Sequence, residues 1–173
     1  MTRKGRVVNV AALDNCVAEL PRWRMMSKPP FPDPPNAPSP TPWVEITTRG
    51  HLRAAAAAVI AAARPLVAVT PAGSIDRLGP GWLAALSAGL CLPPALLTLV
   101  DCGGRAGWAQ AALALGLDIV APELAPAARP RLAALADQLG RRVLFHRPPA
   151  LDLGPLADAE AACLRLLLPD GPG

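Results

Sequence analysis

The feature that most constrains the fold is an alternation of short, uniformly apolar segments with helix-like segments after residue 42. Polar residues do not alternate along the apolar segments, so neither side of them is marked as facing water. Four or five strands are predicted, at 44–47, 66–70, 95–101, 118–121 and 142–145. Helices are predicted between and after them, at 50–64, 82–90, 105–115, 130–139 and 155–168.

A strand that is apolar along its whole length is typical of a parallel sheet with both sides covered. The alternation therefore predicts an α/β protein with an open, three-layer, mostly parallel sheet of four to five strands and helices on both faces. Each strand–helix–strand unit should cross over in the right-handed sense. A closed eight-stranded barrel is excluded, because it needs roughly 200 residues or more.

The segment before the first strand has a different composition. Residues 29–42 contain eight prolines in fourteen positions, which favours extended polyproline II geometry and does not pack a core. We predict a disordered, basic and proline-rich leader over 1–42, followed by a single α/β domain over 43–173. The leader also suits an SH3-like partner through its PxxP pattern. The methionine pair at 25–26 suggests a natural start there, which would make 1–24 an upstream extension.

The formal charge of +4 is confined to residues 1–28. Residues 1–28 carry six basic and two acidic side chains, whereas residues 29–173 carry eleven of each. Binding of nucleic acid needs a basic surface, and the folded part is predicted to lack one.

Two further patterns bear on location and cofactors. Residues 78–100 contain no charge, but Pro93 and Pro94 interrupt them, so a buried helix followed by a strand is predicted and no membrane span. The four cysteines are scattered without zinc-site spacing, and no signal peptide is recognised, which favours reduced thiols in the cytoplasm. No cofactor or metal is predicted.

Ligands of an open parallel sheet bind outside the carboxyl ends of its strands. The glycine pair after the third predicted strand frees N–H groups at a helix start, which attracts phosphate or carboxylate. Its GGxxG spacing differs from the dinucleotide-binding GxGxxG pattern. A purely structural interpretation stays open, in which Asp101 closes an Asx turn and the glycines only form the bend. The predicted ligand-binding residues are Ser74, Asp76, Asp101, Gly103, Gly104 and Arg105.

A catalytic interpretation depends on Cys102. A thiol at a helix N-terminus has a lowered pKa, and His146 is predicted at the same edge, where it could act as a base. The orienting carboxylate would be Asp101, Asp76 or Glu123. A buried structural cysteine is the alternative. Glu123 and Arg147 are also predicted at this edge.

The function favoured by these residues is a non-catalytic α/β module that binds a small anionic ligand or a protein partner at the carboxyl edge. The alternative is a thiol-dependent hydrolase or transferase that uses Cys102 with His146. The edges of an open sheet also allow a homo-oligomer to form by strand pairing.

The segment "LTLVDCGGRAGWAQAALAL" at 97–115 resembles the strand–Asp-Cys-Gly–helix unit of small, uncharacterised bacterial α/β proteins. The resemblance covers the second half of the chain and implies an α/β fold without an established activity. The chain departs from the pattern at Gly104, where the resemblance implies a polar or acidic residue.

Overall fold

The computed structural model describes residues 41–168. The leader prediction for 1–42 therefore lies almost wholly outside the described residues, together with the hypothesis of a natural start at residue 25. The strands are β1 (Trp43–Glu45), β2 (Leu66–Val69), β3 (Leu96–Asp101), β4 (Asp118–Val120), β5 (Val143–Leu144) and β6 (Leu151–Asp152). The helices are α1 (Arg49–Ala62), α2 (Ile75–Leu78), α3 (Trp82–Ser87), α4 (Ala106–Ala114), α5 (Arg129–Gln138) and α6 (Ala159–Leu167).

The six strands form one open sheet in the order β5-β4-β3-β2-β1-β6, and every pairing is parallel. The predicted α/β class with an open parallel sheet is confirmed. The sheet has six strands and not four or five because Leu151 and Asp152 pair with β1. Two residues are too few to produce a strand pattern in the sequence.

The helices pack against one face of this sheet. Val44, Ala68 and Val100 of the strands share a core cluster with buried residues of all six helices, among them Leu52, Leu83, Leu113, Leu132 and Leu167. The sequence predicted helices on both faces and three layers, and the described residues differ from that expectation by forming two. From β1 to β5, each strand is added next to the previous one, always in the same direction across the sheet. Because each crossover is right-handed, the connecting helices then lie on the same face of the sheet.

The opposite face, which we name the second face, is also apolar. It consists of Trp43, Val67, Val69, Leu99 and Val120, with Leu97 and Leu144 at its margin. No helix within residues 41–168 contributes to this cluster, and Ala150 is its one member from outside the strands.

Residues 145–150, which we name the crossing segment, connect β5 at one edge of the sheet to β6 at the other. Five strand spacings of about 4.8 Å amount to about 24 Å, and seven nearly extended residue steps cover about the same distance. The crossing segment must therefore be almost fully extended. Pro148 and Pro149 favour this, because proline fixes the backbone near polyproline II geometry.

Local signals explain individual element ends. Thr48 caps α1, and its hydroxyl accepts the N–H of His51 at 3.2 Å. Asp158 caps α6 in the same way through the N–H of Ala161, at 2.9 Å.

Both edge strands, β5 and β6, are two residues long. Such short edges offer few backbone groups for strand pairing with a second copy. A homo-oligomer through a sheet edge stays a prediction. Across residues 41–168, no helix has the length and apolarity needed to cross a membrane.

Candidate functional site

A cleft of about 340 Å³ opens at the carboxyl ends of β2, β3 and β4. Its walls come from the loops that follow these three strands, together with Arg147 of the crossing segment. The rule that parallel strands carry their loops to a shared edge thus brings together residues more than 70 positions apart in sequence, from Ala72 to Arg147. Five of the six predicted ligand-binding residues line this cleft: Asp76, Asp101, Gly103, Gly104 and Arg105.

The glycine pair after β3 is required by the backbone. Gly103 has φ +50°, a left-handed conformation that costs little only for glycine. A Cβ on Gly104 would lie 3.1 Å from the carbonyl oxygen of Glu123. A polar or acidic residue was expected at this position, and a side chain there would require the backbone of Glu123 to shift by a few tenths of an ångström.

Asp101 organises the turn and is almost inaccessible, with 2% of its side chain exposed. Its Oδ1 accepts the N–H of Gly103 at 2.8 Å, which is the Asx turn of the structural interpretation. Its Oδ2 accepts a hydrogen bond from the guanidinium of Arg147. The backbone N–H of Asp101 donates to the hydroxyl of Thr70 at 2.9 Å. Asp101 therefore shapes the cleft through neighbouring groups, since little of its carboxylate is left for a ligand.

Arg147 joins three strands at their carboxyl ends. The Nη1 of its guanidinium pairs with Asp101 and donates to the carbonyl of Thr70, and its Nη2 pairs with Glu45. The sequence placed Arg147 at this edge but gave it no role, and it did not single out Glu45 at all. A single carboxylate closing an otherwise apolar strand was the available signal for Glu45.

Asp76, Arg105 and Trp108 form the exposed rim of the cleft. Arg105 pairs with Asp76 at 3.1 Å, and the two side chains are 65% and 41% exposed. The indole N–H of Trp108 donates to the other oxygen of Asp76 at 3.2 Å, which leaves the ring partly exposed to solvent. An ion pair this exposed contributes about 0–1 kcal/mol, so Arg105 can exchange Asp76 for another anion at little cost.

The N-terminus of α4 begins at this rim. Arg105 is its N-cap residue, no side chain caps the helix, and no acidic residue lies in its first turn. The N–H of Arg105 donates to the carbonyl of Cys102. The first-turn N–H groups of a helix without a capping side chain have no intrahelical acceptor, and the helix dipole adds partial positive charge there.

The structure places Cys102 in the core and not at the rim. Its side chain is fully buried, and its Sγ lies 3.8 Å from the carbonyl oxygen of Val100. Burial, reinforced by the charge of Asp101, raises the pKa of Cys102 to about 12. His146, by contrast, is exposed in the crossing segment. A buried, protonated thiol is a poor nucleophile, so this geometry favours a structural cysteine.

Of the remaining sequence candidates, Glu123 lines the cleft and Ser74 does not. Ser74 is buried at the start of α2, where its N–H donates to the carbonyl of Pro71. Glu123 reaches the cleft from the loop after β4. Within the described part of the chain, no group of three or more His, Cys, Asp or Glu side chains is arranged to hold a metal ion.

These observations define the class of the protein as an open parallel α/β domain with a mixed-charge cleft at its carboxyl edge. No family model matches the chain, and no curated protein and no solved structure matches it either. The resemblance to uncharacterised bacterial α/β proteins stays a prediction.

Proposed function

We propose that this protein is a binding module for a small ligand that carries a phosphate or carboxylate group, held in the carboxyl-edge cleft. The observation that carries the proposal is that the uncapped start of α4 and the exposed guanidinium of Arg105 meet at one end of a cleft of ligand size. Helix N–H groups and an arginine together bind such anions by charge-assisted hydrogen bonds.

The acidic side chains of the cleft have to be reconciled with an anionic ligand. Asp101 pairs with Arg147, which it shares with Glu45, and it is buried behind the turn that it shapes, so a ligand does not meet its carboxylate directly. Asp76 is the competitor for Arg105, and its exposed pair is weak enough to open when an anion arrives. Glu123 is exposed beside the glycine turn, with its Oε2 3.6 Å from the position of a Cβ on Gly103, where it would disfavour bulky, highly charged anions.

The thiol-dependent alternative has less support. It requires a thiolate at neutral pH, whereas the pKa of Cys102 is raised to about 12. It also requires an accessible sulfur, whereas Cys102 is fully buried.

Binding of inorganic phosphate, followed by sugar phosphates and nucleotides, tests the proposal by calorimetry. Replacing Arg105 with alanine (R105A) removes a charge-assisted contact of about 1.5–3 kcal/mol, so affinity should fall about tenfold or more. Arg131→Ala, at an exposed position of α5, is the matched control and should leave affinity unchanged.

The Asp76→Asn variant distinguishes an anionic ligand from a cationic one. Removing the competitor for Arg105 should strengthen the binding of an anion, whereas it would weaken the binding of a cation. Absence of saturable binding by every anion in the series, or equal losses in R105A and R131A, would remove the basis of the proposal.

A further inference from the structure

The second face poses a physical problem that the described residues do not solve. Parallel sheets occur almost only with both faces covered, because their strands are apolar on both sides. Here the helices occupy one face, and the cluster on the other consists of strand residues and Ala150. Yet Trp43 and Val67, at the amino end of this face, are only 8% and 4% exposed.

The crossing segment does not suffice as the cover. It is one extended stretch of six residues whose Arg147 is held at the carboxyl ends of β1, β2 and β3. The apolar rows run from Trp43, Val67 and Leu97 up to Val120 and Leu144. The first and the last of these rows are four residues, or about 13 Å, apart along the strands. One extended chain is too narrow to cover that distance.

The described chain begins at the amino end of β1, next to this face. The carbonyl of Pro42 accepts the N–H of Val67 at 3.0 Å, and Trp43 of the second face follows directly. Forty residues precede Thr41. The stretch at 20–42 reaches about 65 Å in polyproline II geometry, well beyond the width of about 24 Å that six strands span.

The leader carries an apolar stretch of its own. Ten of the fourteen residues in 7–20 are apolar. Val10, Leu13, Val17 and Leu20 follow one another at intervals of three, four and three, the spacing that places side chains on one side of a helix. Polar residues occupy other positions, among them Asn9 and Asn15.

We propose that residues 7–20 dock on the second face and supply the third layer of the domain from within the same chain, which replaces the disorder predicted for this part of the leader. The partner of this apolar surface is then the leader itself, and the proline-rich stretch is the connection that lets it reach across. This inference concerns a surface separate from the cleft and does not depend on the proposed ligand.

Quenching of Trp43 fluorescence tests the docking. In a full chain with Trp23, Trp82 and Trp108 replaced by phenylalanine, Trp43 should be shielded from acrylamide. The double substitution Leu13→Asp/Val17→Asp should raise its quenching constant several-fold. Ala11→Asp/Asn15→Asp adds the same charge on the opposite side of this helix and should leave the quenching constant unchanged.

Cross-linking gives a second measurement that does not depend on a destabilised variant. Cys16 lies within the docking stretch, and Leu97→Cys would place a thiol at the margin of the second face. A short bismaleimide should join these two thiols within one molecule of the full chain. Leu139→Cys, exposed behind α5, is the control and should give no such product.

Molecular mass in solution completes the test. A monomeric full chain, with loss of the cross-link and exposure of Trp43 in L13D/V17D, supports the docking. If Trp43 stays shielded in L13D/V17D as a monomer, the described residues cover the face by themselves and the proposal is wrong. If shielding appears only in a dimer, a second copy is the cover, and the proposal is equally wrong.

Discussion

Asp101 keeps a carboxylate at the end of β3 with only 2% of its side chain exposed, and Arg147 is the cation that makes this tolerable. Burying a charge is costly unless a partner and hydrogen bonds accompany it, and Asp101 has both. The same arginine holds Glu45. At the residue scale, the site is therefore shaped by charges that bind each other, and Arg105 at the rim is the cation with the weaker hold.

The two arginines should differ sharply when removed. Arg147→Ala leaves the carboxylate of Asp101 buried without its cation, and we expect a loss of about 3–5 kcal/mol in the free energy of unfolding. Arg105→Ala breaks an exposed pair and should cost less than about 1 kcal/mol. Urea denaturation measures both. Similar losses in the free energy of unfolding for the two variants would show that the buried ion pairs of Arg147 do not stabilise the fold more than the exposed pair of Arg105 does.

The cysteines predict how stability depends on pH. Burial raises the pKa of Cys102 to about 12 and that of Cys163 to about 11, from the ordinary 9.0. Above pH 9 the unfolded chain loses thiol protons that the folded chain retains, so the free energy of unfolding should fall as pH rises from about 9 towards 12. The chain has no tyrosine that would titrate in the same range. Urea midpoints at pH 8 and pH 10 measure the fall, and Cys102→Ala/Cys163→Ala should flatten it. An unchanged slope in this variant would assign the pH dependence to other groups.

Thiol labelling tests the catalytic alternative directly. In the native protein at neutral pH, iodoacetamide should modify Cys102 more slowly than the half-buried Cys91. Peptide mass analysis gives both rates in one sample. Faster labelling of Cys102 would restore the thiol-dependent function as a candidate.

At the scale of elements, the turn after β3 and the first turn of α4 contain three glycines with different physical roles. Gly103 needs a left-handed backbone, and Gly104 needs the absence of a Cβ beside Glu123. Gly107 lies within α4 with nothing near the position of a Cβ. The sequence pattern shows three glycines, and only the packing of the loop after β4 distinguishes them.

Alanine substitutions should separate these roles. Gly104→Ala forces the backbone of Glu123 to move, and we expect lower stability and a weaker affinity for phosphate. Gly107→Ala should instead stabilise the protein by up to about 1 kcal/mol, since glycine is the poorer helix residue. Thermal unfolding and calorimetry with phosphate measure the two effects. A stabilising Gly104→Ala would mean that the turn is looser than the 3.1 Å approach indicates.

At the scale of the whole molecule, the sequence predicted what depends on local periodicity and chain direction. Apolar segments such as 66–70 and 95–101 predicted parallel strands, and the carboxyl-edge rule brought Asp76, Asp101 and Arg105 into one cleft. The order of the strands could not be predicted, because periodicity carries no information on which strands are neighbours. Helices on both faces were expected for that reason, and the pairing of Arg147 with Glu45, 102 residues apart, was missed.

The same limit explains β6. Its two residues follow a connection that crosses the whole sheet, and no local signal marks them. Such long-range connections depend on the apolar surface and the strand edges that are still exposed after the strand–helix units have formed. The docking that we propose for 7–20 has the same origin.

The most direct test of the central claim is a titration of the ¹⁵N-labelled protein with inorganic phosphate, followed by the amide resonances. Saturable shifts should be confined to the glycine turn and the first turn of α4, between Gly103 and Trp108, and they should weaken in R105A. Shifts that do not saturate, or that are as large at the exposed Arg131 of α5 as in this turn, would contradict the assignment of the cleft as an anion site.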